Sequence, residues 1–244
     1  MIDPASGRVR PEPVSNLISV LCPTRNRPDS VRELIGTALE TADGPIEIIF
    51  YLDLDDPSAD KVRAMLAGGD LRAVAGDRIV LSQCWNECAA VARGEILMQC
   101  GDDIRFRTPG WDSEVRAIFD RIPDRIALVH GRDGHQDHRL ATHGFLHRRW
   151  VDTVGYFVPP IFASDYNDQW LTEVADMLGR RVYLPGVYTE HMHPAAGKGE
   201  WDRTHQERLV RHRRDNVDAL YAGTASLRTR DAGLLRAVMT AVPA

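Results

Sequence analysis

Apolar residues cluster in short blocks over the first hundred positions, and each block gives way to a stretch with helical spacing. NLISVLCPT (16–24) reads as a buried strand closing at Pro23. RPDSVRELIGTALETA (27–42) places Val31, Leu34, Ile35, Ala38 and Leu39 at helical intervals, with Pro28 suited to a first turn. PIEIIFYLD (45–53) is a second strand, followed by a helix over PSADKVRAMLA (57–67) that stops at Gly68-Gly69. RIVLS (78–82) reads as a third strand, QCWNECAAVARG (83–94) as a helix and EILMQC (95–100) as a fourth strand. Continuous apolar strands alternating with amphipathic helices predict a parallel sheet covered on both faces.

Beyond residue 108 the alternation loosens. The pattern predicts a helix in PGWDSEVRAIFDRI, a strand in RIALVHG, and a strand then a short helix in ATHGFLHRRWVDTVG. FASDYNDQWLTEVADMLGR reads as a helix with an acidic start, and RVYLPGVYTEHMHP as two short strands. EWDRTHQERLVRHRRDNVDALYAG reads as one long charged helix. The expected organisation is a loose arm (1–15) and a single domain (16–222), with a helical tail at 223–244. The domain divides into a nucleotide-binding half (16–108) and an acceptor half (109–222).

Ligands of parallel α/β sheets bind beyond the carboxyl ends of the strands. Three strand ends carry polar clusters here: PTRNR after the first, DLDD after the second and GDD after the fourth. Asp102 and Asp103 are adjacent carboxylates at the end of a buried strand. They repel unless a cation lies beside them, and hard oxygen ligands suit Mg²⁺ or Mn²⁺. The alternative is an Asp-rich turn.

Bulk properties narrow the function classes. The 244 residues carry a net charge of −5, which gives no global attraction to nucleic acid or anionic membrane. The basic run RTHQERLVRHRRD leaves a nucleic-acid or other polyanionic acceptor weakly supported. Cys22, Cys84, Cys88 and Cys100 form no CxxC pair, and no apolar run approaches the ~20 residues of a membrane span. The first residues hold no apolar signal region, so a cytoplasmic location is expected.

ISVLCPTRNRP, IEIIFYLDLDDPSAD, WNECAAVARGEILMQCGDDIRF, SDYNDQW and EHMH, in that order, resemble the GT-A fold glycosyltransferases. The resemblance is to the large, mainly inverting family that includes cellulose and chitin synthases. It implies a GT-A-like (Rossmann-like), mostly parallel sheet with helices on both faces and an elaborated C-terminal half. The implied activity is metal-dependent transfer of a sugar from a nucleotide-sugar donor, a UDP-sugar by preference, to an unidentified hydroxyl acceptor. By resemblance, Asp102 and Asp103 with His193 or His191 hold Mn²⁺ or Mg²⁺. Pro23, Thr24, Arg25, Asp53 and Asp55 receive the nucleoside, with Trp85 and Asn86 lining the same pocket. Asp102 reaches the diphosphate through the metal, and Lys198 and Arg203 are cations that grip it, the alternative being a solvated helix face. Asp168 best matches the family's acceptor-side Asp and is the candidate base, with Asp165 beside it; the alternative for both is capping of the helix. Where the family's DxD run begins with Asp, this chain has Cys100, which removes one expected ribose contact. Two rivals are a nucleotidyltransferase, disfavoured by the lack of glycine in PTRNRP, and a non-catalytic nucleotide-sugar binding module, favoured by Cys100.

Overall fold

A computed structural model describes residues 11–240. Its frame is an eight-stranded sheet in the order β3-β2-β1-β4-β7-β6-β8-β5. The strands are β1 (Val14–Thr24), β2 (Ile46–Asp53), β3 (Leu71–Gly76), β4 (Gly94–Gln99), β5 (Ile104–Phe106), β6 (Leu128–Arg132), β7 (Phe145–His147) and β8 (Arg181–His191). The first four pair in parallel. β7 then runs antiparallel to both β4 and β6, β8 pairs parallel to β6, and β5 closes the edge antiparallel to β8. The mixed α/β sheet matches the fold class that the alternation and the resemblance implied.

The helices are α1 (Pro28–Thr41), α2 (Ala59–Arg63), α3 (Leu81–Val91), α4 (Trp111–Arg121), α5 (Arg148–Val154), α6 (Asn167–Leu178), α7 (Arg203–Arg214), α8 (Val217–Gly223) and α9 (Ala225–Thr240). Alternate residues of a strand face opposite sides, and β1 and β2 use both faces. Val20, Cys22, Ile48 and Phe50 pack with Val31 and Leu34 of α1 and with Trp111 and Phe119 of α4. Leu21, Ile49 and Tyr51 face the other core, with Cys88 of α3, Trp150 of α5, Trp170 of α6 and Leu235 of α9. All four cysteines are buried free thiols.

Several local expectations need correction. The third strand is Leu71–Gly76, pairing with β2, whereas Ile79 and Val80 lead into α3. Helix α2 is a short turn of helix rather than an eleven-residue element. β8 is one continuous strand, because it pairs β6 along one part and β5 further on. The long charged helix breaks into α7 and α8 at Asn216, whose φ of 45° is left-handed. β1 already begins at Val14, inside the expected arm; residues 1–10 of that arm lie outside the described residues, as do residues 241–244 of the tail. The described part of the tail is packed: α9 buries Ala232 and Leu235 against α5 and α6.

Candidate functional site

A cavity of about 930 Å³ opens at the carboxyl ends of β1, β2 and β4, between the sheet, α6 and α7. Pro23, Thr24, Arg25, Asp53, Trp85, Asp102, Asp103, Asp165, Asp168, His191 and His193 all line it. The strand ends and SDYND segment singled out in the sequence therefore meet in one place. Asn86 does not: its side chain is spent on the Phe157 and Val158 backbone, at 2.8–3.2 Å. Lys198 binds Glu190 and the Tyr188 hydroxyl at 2.8 and 3.0 Å and is not a cavity-lining residue. Arg203 is 85% exposed and pairs with Glu207 one turn along α7. Asp55 is not a cavity-lining residue; it pairs with Arg25 at 2.6 Å, while Arg25 also reaches Asp53 at 2.9 Å.

The two adjacent carboxylates are handled differently. Asp102 accepts from the Thr24 hydroxyl and from Arg27, both at 2.8 Å. Burial still pushes its carboxyl up from the ordinary value; Arg27 opposes this, and the neighbouring Asp103 charge adds to it. Arg27 also grips Asp202, the residue that caps α7, at 2.7 Å and lies 3.1 Å from His205 Nδ1. Asp103 instead faces His191, with Oδ2 3.3 Å from Nε2. Burial opposes its ionisation, but the contact with His191 outweighs this and holds the carboxyl well below the usual range.

Five of the nine histidines converge beside Asp103. The rings of His143 and His191 are 4.7 Å apart, His193 lies 5.1 Å from His191, and His135 and His205 flank His193. Burial lowers His191's proton affinity, yet Asp103 and Asp133 together raise its pKa to about 9. His143 is pushed down to about 3, first by burial and then by the charge of His191. His193 is lowered to about 4 for the same two reasons, and its Nδ1 is taken by the Ala195 amide at 3.1 Å.

The donors suit a divalent ion on one side of His191 better than between the acidic pair. Asp102 is already paired with Arg27. Asp133 Oδ2, His143 Nδ1 and His191 Nδ1 are buried without a hydrogen-bond partner among the described residues. One ligand atom from each of these three residues lies within 4.8 Å of the others. Sequence reading missed Asp133, His143, Arg27 and Asp202. Asp133 stands in GRDGHQDH and His143 alone in ATHG, with no ligand-like spacing to His191.

The acidic start of α6 also divides. Asp165 is held by Arg208 at 2.5 Å and by His212 at 3.0 Å, both on α7. Asp168 accepts only the Gln169 amide among its described hydrogen bonds. Burial, reinforced by the nearby Asp165 charge, raises its carboxyl above the ordinary value. A cavity-facing carboxylate with raised proton affinity suits proton transfer.

No family model and no curated protein matches the sequence. Solved structures share the fold. The mannosyltransferase PcManGT from Pyrobaculum calidifontis, in complex with GDP-Man and Mn²⁺, superimposes with a TM-score of 0.61 at 17% identity, over 93% of this chain and 76% of that one. TarS 1–349 from S. aureus gives a TM-score of 0.57 at 15% identity, over 71% of this chain. This chain spans 60% of the length of TarS 1–349, which has also been solved with UDP and with UDP-GlcNAc.

Proposed function

We propose that this protein transfers a sugar from a nucleotide-sugar donor to a hydroxyl acceptor, as a GT-A-like glycosyltransferase. The observation that carries the reading is the cavity at the strand ends, where Thr24, Asp53, Asp102, Asp103, Asp168 and His191 converge. Its volume is within the ~300–1,000 Å³ of small-molecule sites. Support comes from structures of the same fold that hold UDP, UDP-GlcNAc or GDP-Man. The ordered motifs further favour the family that includes cellulose and chitin synthases.

In this reading Pro23, Thr24, Arg25 and Asp53 receive the nucleoside, preferably uridine. A carboxylate at the end of β2 accepts a base N–H, and Arg25, anchored by Asp53 and Asp55, presents a planar face. Trp85 donates to the Cys100 carbonyl at 3.0 Å and forms part of the cavity wall. Asp168 takes the proton of the acceptor hydroxyl as its oxygen attacks the anomeric carbon, and the nucleoside diphosphate leaves with the bonding electrons. A divalent cation, Mn²⁺ in preference to Mg²⁺, neutralises charge on the departing diphosphate when bound. His191, with Asp103 on one side and Asp133 and His143 on the other, is the residue around which such a cation is held. Residues 16–108 act as the donor half and 109–222 as the acceptor half. No helix among the described residues is long and apolar enough to cross a membrane.

The test is a thermal-shift screen of UDP, GDP and their sugars with and without Mn²⁺, followed by an assay of donor hydrolysis. Metal-dependent stabilisation by one nucleotide, with slow release of its sugar, supports the enzyme. Nucleotide binding without any turnover favours a binding module, a reading to which Cys100 and the Arg27-paired Asp102 lend support. No nucleotide binding at all overturns the proposal.

A further inference from the structure

The buried atoms around His191 that lack a hydrogen-bond partner fix the ligands of that cation. Asp133 follows β6 and is 3% exposed. Its Oδ1 accepts the amides of His135, Gln136 and Asp137 at 2.9, 2.7 and 2.8 Å. Those three bonds fix the carboxylate and leave Oδ2 without a donor. Oδ2 lies 3.8 Å from His191 Nδ1. His191 is itself held by its amide, which donates to the Asp133 carbonyl at 2.9 Å, and by its register opposite Ile104 in the β5–β8 ladder. His143, 7% exposed, brings a third orphaned atom, Nδ1, on the loop that enters β7.

A buried polar atom without a partner is costly to the fold. Three such atoms come from three separate segments, and a ligand atom of each residue lies within 4.8 Å of the others; one shared partner explains them together. Metal–nitrogen bonds of about 2.0–2.1 Å place neighbouring donor atoms roughly 3–3.5 Å apart, so the 3.8 Å between Asp133 Oδ2 and His191 Nδ1 needs to close by only a few tenths of an ångström on binding. We infer that Asp133 Oδ2, His143 Nδ1 and His191 Nδ1 form a two-histidine, one-carboxylate site that binds a first-row transition metal without any nucleotide. Two imidazoles select Mn²⁺, Fe²⁺, Co²⁺ or Zn²⁺ over Mg²⁺. With the metal on Nδ1, the His191 Nε2–H points at Asp103. Asp103 is then a positioning carboxylate behind a ligating histidine rather than a ligand.

The inference deepens the transfer reading, on which it rests only for the cation's role, because the test uses no donor. The full chain is stripped with a chelator and titrated with Co²⁺ and Zn²⁺ in nucleotide-free buffer, by absorption spectroscopy and calorimetry. One metal per chain is expected, with Mg²⁺ failing to compete. Asp133→Asn retains an Oδ1 for the three amides, so the loop keeps its bonds while the ligand is lost. It and His143→Gln should each weaken binding by at least the ~10–100-fold seen for loss of supporting groups, and His193→Gln should leave it unchanged. Wild-type NMR gives a readout that needs no variant: Zn²⁺ should perturb the ring nitrogens of His143 and His191 before those of His193. Metal uptake only together with a nucleoside diphosphate, unchanged affinity in both ligand variants, or loss in His193→Gln would overturn the assignment. Metal binding without any nucleotide binding leaves the site standing and removes the transfer reading.

Discussion

Arg27 lies 2.8 Å from Asp102 across the cavity floor, joining the loop after β1 to the end of β4. The same guanidinium holds Asp202 at the start of α7. The acidic pair therefore reaches the cavity with one carboxylate already matched by a cation of the protein, and that cation also ties down the helix opposite.

Both members of the Arg27–Asp102 pair are largely buried, at 17% and 6% side-chain exposure. Removing one partner of such a pair costs about 3–5 kcal/mol, because the other charge is stranded. Arg27→Met should fall in that range by chemical denaturation, and cleavage of residues 203–214 by trypsin should accelerate. Adding Asp102→Asn should recover part of the loss. Strict additivity of the two changes would mean that the pair contributes nothing to stability.

Asp168 and Asp165 separate on their partners. Asp168→Asn should preserve nucleotide binding and reduce transfer, per folded molecule, by the ~10²–10⁴-fold typical of a lost general base. Asp165→Asn should instead loosen α7, because Arg208 and His212 lose their shared carboxylate. Equal transfer rates in wild type and Asp168→Asn would place the base elsewhere.

Asn86 is a structural residue with three backbone hydrogen bonds. Asn86→Ala should cost about 1–3 kcal/mol, as buried backbone groups lose their partner, and leave nucleotide affinity of the folded protein intact. A selective loss of nucleotide affinity at unchanged melting temperature would return Asn86 to the pocket.

Glu47 supplies the pH dependence. Its side chain is fully buried at the base of β2, where it accepts from Ser19 at 2.7 Å and from the Arg93 amide at 2.6 Å, with Arg93 Nε at 2.9 Å. Burial alone would raise its carboxyl, but these donors outweigh it and hold the group below its ordinary 4.5. The unfolded chain thus takes up this proton more readily than the folded one. The stabilisation is complete above about pH 4.5 and is lost as pH falls through the folded value. Glu47→Gln should be less stable than wild type at pH 7, and the difference should shrink in acid. A difference that is constant between pH 7 and pH 3 would exclude this linkage.

The chain's own pattern determined the sheet-and-helix frame. Buried strands such as Ile46–Asp53 and one-sided helices such as Pro28–Thr41 are local signals, carried by residues a few positions apart. The polar strand ends could be placed at one edge for the same reason, since parallel strands all end on the same side. Pairing decided the rest. Leu71–Gly76 holds alanine and glycine beside one leucine and one valine, whereas RIVLS carries three large aliphatic residues in a row, and only the ladder with β2 makes the former the strand. Asp102 and Asp103 are adjacent and chemically alike. What separates them is Arg27, 75 positions from one, and His191, far along the chain beside the other. Asp133, His143 and His191 carry no mutual spacing, because two separate loops and the end of β8 bring them together. Charge and ligation act through space over a few ångströms, whereas sequence pattern reports only what recurs along the chain; which carboxylate meets Arg27, which meets His191, and which histidines converge was therefore left to the tertiary fold.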